Sequence, residues 1–120
     1  MLDLDETALI KFFGCTPEPE SQEVQDFFAA PFFIKRVDGW ELWFSVSAHF
    51  RDMRLTLLRD GCTARLLELI VPEVISVLVE RDSYGERLRI TSGTHGITEI
   101  TVDPGITIRS VDPWIRFQSA

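Results

Sequence analysis

With 120 residues, 45% of them hydrophobic and 26% charged, the chain has the size and composition to bury one core without covalent staples. Its apolar runs extend only a few residues, which excludes a membrane-spanning helix. Its formal net charge of −7 argues against nucleic-acid binding as a property of the whole protein, which needs a basic face.

The first predicted element is a short helix over residues 4–13. Asp3 and Glu6 have the spacing of a capping box, Leu9, Phe12 and Phe13 fall on one side, and Gly14 is a natural stop. Two or three turns are marginal alone, so this helix must dock on something. The acidic start, Met1 to Glu6, lacks the basic region and long apolar stretch of a secretory leader, so a cytoplasmic location is expected.

Residues 16–21, with Pro17 and Pro19 among acids, read as an extended connector. Residues 23–30 fit either a short helical turn or an irregular stretch. The charge is concentrated in this front portion. Residues 1–26 hold seven acids against Lys11, a balance of −6, whereas residues 27–120 hold twelve acids against eleven bases, a balance of −1. A solvated lead-in is the plain explanation of the acidity. The functional one is a docking face made of Glu18, Glu20, Glu23 and Asp26.

From Phe32 onward the pattern is β. Strands are expected at Phe32–Val37 and from Trp40 to about Ala48, joined by Asp38-Gly39, a dipeptide suited to the positive φ angles of a two-residue hairpin. That turn pairs Val37 with Trp40, Arg36 with Glu41 and Ile34 with Trp43. It places Lys35 opposite Leu42 on the core face, an inconsistency that an edge position or a bulge would relieve. Asp60-Gly61 predicts a second tight hairpin between Met53–Arg59 and Cys62–Val71, with Leu55 facing Leu66 and Leu57 facing Ala64. Further strands follow at Val74–Arg81, Glu86–Ser92, Ile97–Val102 and Ile106–Val111, separated by turn sequences such as Asp103-Pro104-Gly105. A tail carries Trp114, Ile115 and Phe117.

The expected fold is therefore mainly β: an antiparallel β-sandwich or partly closed barrel of about eight strands with one short N-terminal helix. The chain reads as a single domain, with an acidic helix and Pro-rich lead-in (1–31), a β core (32–111) and a tail (112–120).

No motif for chemistry stands out. His49 and His95 have no partner at metal-ligand spacing. Cys15 lies among acids, which would raise its pKa, and Cys62 beside a turn; both read as small packed thiols rather than nucleophiles. Asp38, Asp60 and Asp103 are explained by turn chemistry, and Gly93-Thr94-His95-Gly96 lacks the lysine and following helix of a phosphate loop. The expectation is no catalytic residue, no metal ligand and no cofactor.

The aromatic distribution is the one feature with a functional edge. Ten of the thirteen aromatics lie in the first 50 residues. Phe32, Ile34 and Trp43 gather on the face opposite Trp40, Leu42 and Phe44, so both faces of this hairpin need cover. Leu9, Phe12 and Phe13 of the helix are the expected cover. A protein partner, most simply a second copy of the chain, is the other.

Three functions follow as expectations. The first is a non-enzymatic, cytoplasmic protein-interaction module that self-associates. The second is an acidic immunity-type protein that occludes a basic toxin, with charge steering the encounter. The third is a small-molecule-binding scaffold or enzyme, for which no convergent polar groups are visible. Ten arginines against two lysines fit a bacterial genome rich in G and C.

Overall fold

The computed structural model describes residues 2, 4–16, 32–59, 61 and 65–111. Among these described residues are one helix, α1 (Glu6–Phe13), and eight strands: β1 (Phe32–Val37), β2 (Trp40–Ser47), β3 (Asp52–Arg59), β4 (Arg65–Val71), β5 (Val74–Asp82), β6 (Gly85–Ser92), β7 (Gly96–Thr101) and β8 (Thr107–Val111). They form two four-stranded antiparallel sheets in chain order, β1-β2-β3-β4 and β5-β6-β7-β8. The expected mainly β class, with one short helix, is the observed one. Residues 17–31 and 112–120, and with them the predicted connector and tail, lie outside the described residues.

The first hairpin forms in the predicted register. Asp38 and Gly39 take φ angles of 50° and 81°, the two positive values of a type I′ turn. Val37 then pairs with Trp40, Arg36 with Glu41, Lys35 with Leu42 and Ile34 with Trp43. β1 is an outer strand, which resolves the Lys35 inconsistency: its half-buried side chain ends beside Gly14, at the C-terminal end of α1. A cation there complements the helix dipole, and an inward-pointing charge protects a sheet edge.

The second hairpin does not form in the predicted register. Leu55 pairs with Leu69 and Leu57 with Leu67, not with Leu66 and Ala64. A shift between Leu57 and Leu58 then brings Arg65 opposite Leu58, leaving Leu66 without an opposite residue. Gly61 does adopt a positive φ of 81°. The shift shows, however, that Asp-Gly permits a tight turn without dictating a two-residue one.

The helix is capped two residues later than predicted. Asp5, not Asp3, is the N-cap, and its carboxylate accepts the Ala8 N–H at 3.1 Å. Gly14 closes the other end in the left-handed conformation, its N–H donating to Ile10 at 2.8 Å.

The two sheets share one core. Phe33, Leu42, Phe44, Val46, Met53, Leu55 and Val71 from the first meet Val74, Leu88, Ile90, Ile100 and Val102 from the second. α1 adds Leu9, Phe12 and Phe13 to this cluster. Phe13 is fully buried, with ring centroids 5.0 Å from Phe33 and 5.2 Å from Phe44. Each such side chain contributes about 1.5–3 kcal/mol by leaving water. The helix therefore docks on the inner face of the first sheet and does not cover Phe32, Ile34 and Trp43. Those three occupy the alternate positions on the opposite face, so a helix packed on Phe33 and Phe44 cannot reach them.

Candidate protein-binding surfaces

Two surfaces combine apolar groups with polar neighbours. The first is the outer face of the β1-β2-β3-β4 sheet. Register places Phe32, Ser45, Arg54 and Ile70 in one row across it, and Ile34, Trp43, Thr56 and Glu68 in the next. Phe32 and Trp43 meet edge to face with centroids 5.8 Å apart. Trp43 Nε1 donates to Glu41 Oε1 at 2.7 Å, and Arg36 Nε lies 3.5 Å from the other carboxylate oxygen of Glu41. Glu41 is only 8% exposed, and a buried carboxylate needs such donors. Beside this pair, Phe32, Trp43, Ser45, Arg54, Thr56, Arg65 and Glu68 line a cavity of about 210 Å³.

Phe32, Ile34 and Trp43 are thus brought together as expected, each half-buried. Glu41 is the residue that sequence reasoning undervalued. It appeared as a charge partner of Arg36, whereas its shorter contact is with the indole. Glu18, Glu20, Glu23 and Asp26 lie outside the described residues.

The second surface was not anticipated. Leu66, Leu67 and Ile70 on β4, with Ile75 and Leu78 on β5, are between 39% and 58% exposed. β4 is an outer strand of one sheet and β5 of the other, joined through Pro72 and Glu73. Each strand carries a register shift, and the residue each shift leaves unopposed, Leu66 and Ile75, is apolar. The sequence clue was the high aliphatic content of residues 66–79, ten of fourteen positions. Periodicity reads that as a buried strand.

The corner between β4 and β5 is held firmly. Val74 N–H donates to Arg51 O at 2.8 Å, Gly93 N–H to Glu73 O at 2.9 Å, and Ser92 Oγ to Pro72 O at 2.8 Å. Ser92 Oγ also accepts from the backbone N–H groups of Thr94 and His95, at 3.2 and 3.0 Å. Gly93-Thr94-His95-Gly96 therefore serves as a bracket for the corner.

Part of the outer face of the other sheet is a network of charge. Arg87 contacts Glu80 at 3.0 Å, Asp82 at 2.7 Å and Glu99 at 3.1 Å, and Arg89 contacts Glu80 at 3.2 Å. The hydrogen bond from Arg87 lowers the Asp82 pKa from its ordinary 3.8, helped by the Tyr84 N–H; the same bond raises that of Arg87. His49 packs edge to face on Phe50, and His95 Nδ1 lies 2.7 Å from Thr94 Oγ1. Among the described residues, no three His, Cys, Asp or Glu side chains gather as metal ligands would. Nor is any described helix long and apolar enough to cross a membrane.

No protein-family model matches the chain, and no curated protein does either. One solved structure matches at a TM-score of 0.74 and 19% identity, over 90% of this chain and 93% of the other. It is described as a contact-dependent growth inhibition toxin–immunity protein complex from Klebsiella pneumoniae 342. The likeness is one of fold.

Proposed function

We propose that this chain is a cytoplasmic immunity-type protein, a non-enzymatic domain that binds a toxin and blocks it. The observation that carries this reading is the near-complete fold likeness to a chain of a toxin–immunity complex. Charge favours the immunity role over the toxin role. A net charge of −7 suits a protein that occludes a basic active site. In this reading Trp43, oriented by Glu41 and Phe32, is a rigid aromatic anchor. Phe32 and Ile34 extend its contact, and Glu18, Glu20, Glu23 and Asp26 steer a basic partner.

The reading expects a toxin domain encoded beside this chain's gene, and the test is co-expression with it; a neighbourhood without one counts against the reading. Restored growth and an isolable complex are the expected results. Undiminished growth arrest, or no complex between the purified proteins, overturns the reading.

A further inference from the structure

We infer that the cavity beside Trp43 receives one carboxamide side chain, an Asn or Gln of the toxin partner. The inference rests on the immunity reading and adds to it a pocket and the chemistry that fills it.

Ser45 on β2 and Thr56 on β3 line this cavity of about 210 Å³. They are only 8% and 9% exposed. A buried hydroxyl normally has a hydrogen-bond partner. Among the described residues, neither of these side-chain oxygens has one. Two polar groups withdrawn from bulk water, unpartnered in the fold and lining a cavity, fit that cavity for a polar guest.

The lining restricts what the guest can be. Arg54 and the Arg65–Glu68 ion pair, at 3.0 Å, set two guanidiniums and a carboxylate around it. A cation would meet the former and an anion the latter, so the fit is to an uncharged group. Phe32 and Trp43, with centroids 5.8 Å apart, make an apolar wall suited to a flat one. Register adds a length. Ser45 lies opposite Arg54 and Thr56 opposite Trp43, so Ser45 and Thr56 are diagonal neighbours on adjacent strands. Sheet geometry puts such neighbours about 7 Å apart. A single hydroxyl, with hydrogen bonds of about 2.8 Å on either side, falls short of that span. A carboxamide reaches it, because its C=O accepts at one corner and its NH2 donates at the other.

The experiment compares the wild type with S45A/T56V, which removes both hydroxyls and nearly keeps the shape. Thermal unfolding is measured on the protein alone, and binding with the toxin domain that the immunity reading expects. Because neither hydroxyl has a partner in the fold, the variant should be at least as stable as the wild type. Its toxin binding should weaken about tenfold or more, mostly through faster dissociation. An alanine scan of the toxin's Asn and Gln residues should then find one position whose loss is not additive with S45A/T56V. A clear fall in the Tm of S45A/T56V assigns the hydroxyls to the fold and overturns this inference without the toxin. Undiminished toxin binding by the variant also overturns it and leaves the immunity reading standing. A scan in which every Asn and Gln is additive with the variant overturns the carboxamide assignment. No binding by the wild type overturns both readings.

Discussion

The Trp43 indole donates a 2.7 Å hydrogen bond to Glu41, two residues earlier on the same face of β2. An anchor held this way presents one orientation to a partner, and its support is a carboxylate almost removed from water. Glu41→Ala should leave the indole N–H without its acceptor and remove the 3.5 Å contact with Arg36, at about 1–3 kcal/mol of stability. Glu41→Gln keeps an acceptor and should recover most of that loss. Urea unfolding gives the energies, and the Trp43 indole N–H resonance shows whether the side chain moved.

Phe13→Ala should be among the most damaging single substitutions. Its ring is fully buried between Phe33 and Phe44, and truncation of such a residue costs about 3–5 kcal/mol. Phe32→Ala, on the other face and half-exposed, should cost clearly less. Equal losses in chemical denaturation would contradict the placement of α1 on the inner face.

Gly14→Ala should destabilise by about 1–2 kcal/mol, because the position is left-handed at φ 70° and an L side chain resists that conformation. The added Cβ would also sit 3.4 Å from Lys35 Nζ. Calorimetry should show a fall of several degrees in Tm, with the β signal in circular dichroism unchanged below the transition.

Asp82 makes an acid-dependent contribution. Its folded pKa lies below the ordinary 3.8 because Arg87 and the Tyr84 N–H bind the charged form. A depressed carboxylate stabilises the fold above its unfolded value and loses that contribution as pH falls through the folded one. The stability gap between wild type and Asp82→Asn should therefore be present above pH 3.8 and close in more acidic solution. The group is exposed, so added salt should shrink the gap. A gap independent of pH would point to some effect other than the carboxylate's charge.

Much of the fold was written locally. At Asp38-Gly39 two adjacent residues accept positive φ, so the turn set the pairing of β1 and β2 residue by residue, from Phe32–Ser45 to Val37–Trp40. Alternation along β2 separated Leu42 and Phe44 from Trp43, and with the turn it placed Phe32, Ile34 and Trp43 on one surface. Helix, strands and sheet class follow from such short-range patterns because backbone sterics and side-chain period act over a few residues.

Tertiary packing decided the rest. The chain could not say which face of the first sheet would receive Leu9, Phe12 and Phe13, since both faces offered aromatic rings; contact with the second sheet made the Phe33–Phe44 face the enclosed one. Nor could it place Leu66, Leu67 and Ile70 in water. Their fate turned on a displaced β3–β4 register and on β4 having no strand beyond it among the described residues. A leucine's type records only its preference for burial, whereas its exposure depends on which distant segments arrive to cover it.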